Sequence, residues 1–447
     1  MSDRFQTVRL ANGLRVAAAP LSATSFVEIV IGVRVGSRYE HRASSGISHF
    51  TEHLLFRGSK GFPSSFSLNH ALESLGDGLQ AGTTREYSLY AIGVPAANLE
   101  RTLDVLANLL KDPLFDEIDT ERKIVSEEML EDLDEDGNQT DLDAISREHL
   151  FGDHGLGLPV IGTRESLNSL SAEDIRQFFQ EFYQPDNMVI IGAGNLDPEK
   201  FFGTVSRLFG KAEEVFPSEP VYLEDWEPAS AERRFAENDP PPPVLGPVYE
   251  YRPFASSQTE VLLSFLAAGE RSEGWLAQVF LERILDDGLA SRLQRSLCER
   301  RGLVYDIQAT NDLYSDVGAF DLHFRIRAEN TRVALREVFR ELRRLQSEPV
   351  PAEELERVKG RMQREAQALF ESPRALAGRL AETLLLGLVV PVTLSEWHRQ
   401  IRAMDAATLM EAARRLFVPE HLVAVIAGDV PREDRGEIEQ ILSFKAI

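Results

Sequence analysis

"FYQPDNMVIIGAGNL", Phe182 to Leu196, decides the fold because the chain carries a second version of it, "LFVPEHLVAVIAGDV", Leu416 to Val430. Each copy reads as the end of a helix, a turn at Pro185 or Pro419, and a buried apolar strand closed by glycine. The segments before the two copies also correspond. "SLSAEDIRQFFQEF" opens on Ser171 as N-cap with acids in its first turn, and "AMDAATLMEAARRLF" is capped by Asp405. Further upstream, "DEIDTERKIVSEEMLEDL" and "VPAEELERVKGRMQREA" stand in the same order. A period this long is not a solenoid repeat. It predicts two homologous halves.

Between the halves runs "EEVFPSEPVYLEDWEPASAERRFAENDPPPPVLGP", rich in proline and charge. Four prolines at 240 to 243 can continue neither a helix nor a central strand. Residues 216–245 therefore read as a Pro-rich linker between a domain at 1–215 and a second at 246–447. In the first half, "LRVAAAP", "SFVEIVIGVRVGS" and "LQAGTTREYSLYAIGV" read as strands from β-branched content and partial alternation. "LERTLDVLANLLKDPLF" and Glu117 to Leu133 read as helices. The fold class expected is α+β, each half a mostly antiparallel sheet covered by helices on one face. A length of 447 residues agrees with two domains.

Composition narrows the function. With 43% hydrophobic and 27% charged residues the chain is globular, and no apolar run approaches the roughly 20 residues of a membrane span. "MSDRFQTVRLANGLRV" has neither the basic nor the apolar region of a signal peptide. A single cysteine, Cys298, permits no internal disulfide and fits a reducing cytoplasm, which is the expected location. A formal charge of −24 repels phosphates and argues against nucleic acid. No membrane partner is expected.

The chemistry lies in "GISHFTEHLLFRG", Gly46 to Gly58. On a helix, residues four apart share a face, so His49 and His53 can point at one ion. Glu52 sits beside the pair, placed to accept a proton from an attacking water without being a ligand. Ile47, Phe50, Leu54 and Leu55 line the other side and would hold the helix on a core. A hydrolytic zinc site needs three protein ligands and one open position, so a third donor must come from elsewhere.

The H-x-x-E-H order, together with "TERKIVSEEMLEDLDED" downstream, resembles the pitrilysin, insulinase and mitochondrial-processing-peptidase family of zinc metallopeptidases over nearly the whole chain. The resemblance implies one Zn2+ per chain, with Glu128 as third ligand and Glu121, two turns earlier, as a carboxylate orienting a ligand. Glu127 is the competing carboxylate, and it would face about 100° away from Glu128. "SLGDGLQAGTTREYSLYAIGV" resembles the edge strand to which a peptide substrate adds in that family. Gln80, Ala81, Gly82 and Thr83 are the implied substrate-binding residues, with Gln80 where the family usually has asparagine.

The second half lacks the ligands. Aligning the repeats sets His49 against Val279, Glu52 against Glu282, His53 against Arg283 and Glu128 against Gln363. Active relatives add an arginine and a tyrosine from a segment like "SRLQRSLCERRGLVYDI". Tyr305 matches the tyrosine, implied to stabilise the developing oxyanion. Cys298 stands at the arginine position. The resemblance thus implies a zinc-dependent endopeptidase acting on peptides or unfolded segments. It would work as a homodimer, or as a heterodimer with a related chain carrying the arginine–tyrosine pair. The alternative is a non-catalytic processing or assembly subunit.

Overall fold

A computed structural model describes residues 5–134, 137, 139–210, 221–222, 246–253, 258–388 and 393–445. It holds two sheets. The first contains β1 (Gln6–Arg9), β2 (Arg15–Pro20), β3 (Phe26–Val33), β4 (Gln80–Thr83), β5 (Ser88–Pro95), β6 (Met188–Gly194) and β7 (Val221–Tyr222) in the order β4-β5-β3-β6-β2-β1-β7. The second contains β8 (Val248–Arg252), β9 (Thr259–Ala268), β10 (Val304–Leu313), β11 (Val317–Ile326) and β12 (Leu422–Ala427) in the order β10-β11-β9-β12-β8. Strand for strand, β4-β5-β3-β6-β2 repeats as β10-β11-β9-β12-β8. The directions repeat too: all pairs in the shared core are antiparallel except β2 with β6 and β8 with β12, which are parallel. The two versions of the opening sequence are β6 and β12, buried at every position. Covered on both faces, such strands read as continuous apolar runs.

One face of the first sheet packs Val27, Ile29, Ile31 and Val33 of β3 into a core with helix residues that include Phe50, Leu54, Leu103, Leu106, Ile175 and Phe201. The second face is covered as well, where the sequence reading expected helices on one face only. The helix Pro373–Leu386 packs on β3 and β6, with Leu385 against Gly32 and its Leu384 carbonyl accepting from Arg15. The second sheet has the same addition from the other part of the chain. The helix Leu142–Phe151 packs on β12 and β9 through a core of Leu142, Ile145, Leu150, Leu262, Val423 and Val425.

The compact units are therefore interleaved in sequence. One comprises Met1–Asp132, Leu158–Asp239 and Glu365–Trp397, the other Leu133–Gly157, Pro240–Arg364 and His398–Ile447. The sequence reading drew contiguous blocks instead, 1–215 and 246–447. Within the linker read at 216–245, Val221–Tyr222 pairs antiparallel with β1, and the remainder, including the four prolines, lies outside the described residues. No helix among the described residues is long and apolar enough to cross a membrane.

Candidate metal centre

Two helices of the first unit build the site. His49, Glu52 and His53 lie on Ile47–Leu55, whose Ile47, Phe50, Leu54 and Leu55 are buried in the sheet core. Glu121 and Glu128 lie on Ile118–Glu128, anchored by buried Val125. The helix continues through Met129–Asp132 as a tighter 3₁₀ turn, so the stretch read as helical from Glu117 to Leu133 changes geometry just after Glu128.

His49 Nε2 lies 3.7 Å from Glu128 Oε1, and His53 Nε2 lies 3.5 Å from Glu128 Oε2. These separations exceed those of good hydrogen bonds. They are close to the spacing of two ligands on one tetrahedral ion, roughly 3.3–3.4 Å for bonds of about 2.0–2.1 Å. One donor atom from each of the three residues falls within 4.8 Å of the others, the one such group among the described residues. Two imidazoles and one carboxylate suit zinc, so the residues present fit the ion. The Glu128 side chain is 44% exposed, which leaves the cluster open to solvent on its side. Glu127 is exposed and outside the cluster.

Neighbouring groups set the protonation of the site. Glu121 Oε1 lies 2.9 Å from His53 Nδ1. As acceptor it fixes the tautomer whose Nε2 lone pair faces Glu128. Arg57, one turn beyond His53, also grips the Glu121 carboxylate. Burial alone would raise that carboxyl, but the bonds from His53 and Arg57 outweigh it and hold Glu121 below the usual carboxylate range. Burial and the nearby His53 push His49 down to about 4, keeping its imidazole neutral. For His53 burial works downward, and Glu121, Glu128 and Glu52 together shift it up.

Glu52 is nearly buried, and its Oε2 accepts from the Thr83 hydroxyl at 2.6 Å. Burial raises its carboxyl above the ordinary range, with the Thr83 bond opposing that shift. Thr83 Oγ1 also meets Ser88 Oγ at 2.8 Å across the β4–β5 pair. β4 is the outermost strand of its sheet, and beside Gly82 the space is open. Gln80 Oε1 is held by Arg374 at 3.3 Å, and the same guanidinium reaches Glu28 and Asp77. Sequence reasoning missed Arg57 and Arg374. The i, i+4 spacing from His53 to Arg57 was a usable signal, whereas Arg374 lies far along the chain and offers none.

The second unit places the matching helix, Trp275–Leu285, between β9 and β10. Val279 and Arg283 stand where the histidines would be, but Glu282 repeats part of the pattern, accepting from Asn311 of β10 at 2.7 Å. Tyr305 is the second residue of β10 and is 99% exposed, so it does not pack on the sheet. Cys298 lies in the segment Gln294–Glu299, partly buried.

Known proteins resemble this chain in sequence and fold. Residues 15–164 match the model for the insulinase family, peptidase family M16, and residues 169–362 match that for the peptidase M16 inactive domain. An uncharacterized zinc protease of Mycobacterium leprae is 30% identical over 70% of this chain and 67% of its own. A protease from Helicobacter pylori shares the fold with a TM-score of 0.83 at 22% identity, covering 95% of this chain and 99% of that one. The periplasmic protease PqqL of Escherichia coli superposes with a TM-score of 0.75 at 20% identity, covering 99% of this chain but 50% of that one. With both halves matched in order, the chain belongs to the insulinase family of peptidases, M16.

Proposed function

We propose that the protein is a zinc endopeptidase that cleaves peptides or unfolded segments, working in the cytoplasm, to which its single cysteine is suited. The observation that carries this reading is the convergence of His49, His53 and Glu128 beside a buried Glu52. Zinc held by those three residues would supply Lewis acidity and lower the pKa of a bound water to about 7. Glu52 takes a proton from the attacking water and returns it to the leaving amine, a role suited to a carboxyl raised by burial. Glu121 keeps His53 in the ligating tautomer. The peptide adds along β4, where Gln80 to Thr83 offer a free edge and Thr83 ties that edge to Glu52. Gln80, engaged with Arg374, contributes its backbone more than its amide.

Two measurements test this. Purified protein saturated with zinc and then dialysed should retain one zinc per chain, and a chelator should abolish peptide hydrolysis. A metal-free, inactive sample after zinc saturation would overturn the assignment. Replacing Glu121 by glutamine should weaken zinc affinity about 10- to 100-fold, because the ligand loses its orienting partner. Competition with a chromophoric chelator measures this.

Tyr305 is exposed and stands where the family resemblance implies an oxyanion-stabilising tyrosine, while Cys298 leaves the arginine position unfilled. We therefore take the chain as the zinc-bearing member of a pair, with a related chain or a second copy as partner. PqqL, whose chain is about twice as long, supports pairing of two such lengths. If a partner supplies the arginine, peptide hydrolysis rises when the related chain is added. An unchanged rate favours the homodimer. A non-catalytic role gains nothing from the inactive-domain match, because residues 169–362 exclude His49, Glu52, His53 and Glu128.

A further inference from the structure

The helix carrying the two histidines starts in an unusual way. It is nine residues long and His49 is its third, inside the first turn, where backbone N–H groups have no intrahelical acceptor. Five other helices of the same unit begin on Ser64, Thr163, Ser171, Asp197 and Ser372, each accepting an N–H of its own first turn. At the histidine helix the N-cap is Gly46, with φ +88° and no side chain to offer. No other residue fits there. A Cβ on Gly46 would lie 2.6 Å from the Ile161 carbonyl oxygen and 2.9 Å from the Gly162 nitrogen, and the left-handed conformation itself favours glycine.

The missing cap comes from Glu40. Its Oε2 accepts the Gly46 N–H at 2.7 Å and its Oε1 accepts the Ser48 N–H at 2.8 Å, with the residue 5% exposed. A carboxylate at a helix N-terminus is favoured by the aligned peptide dipoles. The loop that holds Glu40 is itself fixed. Arg38 pairs with Glu86 at 2.9 Å, both almost fully removed from water, and the Arg38 N–H donates to the Arg85 carbonyl at 2.9 Å. Gly36 packs so closely on Thr84 and Arg85 that any side chain would collide with their backbone. Ser166 Oγ donates to the Ser45 carbonyl at 2.7 Å at the far end of the loop. The loop thus joins the turn after β4 to the start of the histidine helix. Burial pushes the Glu40 carboxyl up to about 7, opposed by its bonds to Ser48 and Gly46, so the group sits here at an electrostatic cost that those bonds partly offset.

We propose that Glu40 is a positioning residue of the metal centre: by capping Gly46 and Ser48 it fixes the first turn of the helix, and with it the separation of His49 and His53 from Glu128. This rests on the metal reading given above. The residue touches neither the candidate ligands' side chains nor Glu52 in any contact described, so its effect passes through the helix backbone.

The test titrates the full-length protein with Co2+, read by the visible absorption of a tetrahedral site, in wild type, Glu40→Gln, Glu40→Ala and Ser171→Ala. Wild type should bind one Co2+ per chain. Glu40→Ala should bind about 10- to 100-fold more weakly with shifted absorption bands, as expected when the support of a ligand is removed. Glu40→Gln, which keeps one acceptor and nearly the same volume, should fall between them and serves as the readout if the alanine variant does not fold. Ser171→Ala removes a cap of the same kind from Ala172–Phe182 and should leave the spectrum and affinity at wild-type values. Wild-type affinity and spectrum in both Glu40 variants would overturn the proposal, as would an equal loss in Ser171→Ala, which would mark a general effect of stability. Failure of the wild type to bind Co2+ would remove the metal reading itself, and this proposal with it.

Discussion

Replacing Glu52 by glutamine is expected to leave one zinc per chain bound while lowering kcat by about 100- to 10,000-fold, the range typical of a lost general base. The substitution preserves volume, and the amide oxygen can still accept from the Thr83 hydroxyl. His49, His53 and Glu128 keep their positions because Glu52 is not among the converging donors. What disappears is the ability to take a proton from water. KM should change little, since loss of an interaction made only in the transition state lowers kcat and kcat/KM together. Steady-state hydrolysis of a quenched fluorescent peptide, with metal content measured on the same sample, checks this. Wild-type turnover in the variant would exclude Glu52 as the base.

The second large effect concerns stability, and it falls in the other unit. Arg147 is 1% exposed and sits among Asp321, Asp312, Asp143 and Tyr314. Its guanidinium donates to both Asp321 oxygens, at 2.6 Å and 3.3 Å. Burial works against the charge, and the surrounding carboxylates outweigh it, so Arg147 stays protonated. Arg147→Met should destabilise this unit by about 3–5 kcal/mol, because Asp321 is left buried without its counter-ion. For a unit of this size that is a fall in Tm of roughly 6–20 °C. Adding Asp321→Leu to the same chain should recover most of the loss, since replacing both partners of a buried pair is often nearly neutral. Denaturant unfolding followed by circular dichroism measures both, fitted with more than one transition because the chain has two compact units. A single variant as stable as wild type would refute the assigned role of the cluster.

The sequence shows much of this architecture because its signals are local. The strands β6 and β12, the caps at Ser171 and Asp405 and the histidine spacing each follow from a few adjacent residues. The interleaving of the units is different. Nothing in "PRALAGRLAETLLL" tells a reader that its leucines cover β3 and β6 rather than the strands nearer in sequence, since apolar spacing identifies a buried face but not its partner. Leu142–Phe151 is equally silent about β9 and β12. At the site, the spacing pointed to His49, Glu52 and His53, and the family resemblance pointed to Glu128 and Glu121. Thr83 was read as a substrate contact, yet its hydroxyl is engaged with Glu52 and Ser88. Glu40 escaped notice because an acid in a loop, six residues before a glycine, matches no capping pattern.

The pairing of Glu282 with Asn311 has a bearing on Glu52 that reaches beyond the second unit. There a helix glutamate holds a rim strand with Val279 and Arg283 in place of the histidines, and among the described residues it belongs to no group of three metal-ligating side chains. The same tether in the first unit therefore needs no ion to form. It belongs to the common framework of both halves, so under the proposed function a chain stripped of metal should keep the Glu52 carboxylate aimed as it is when metal is bound.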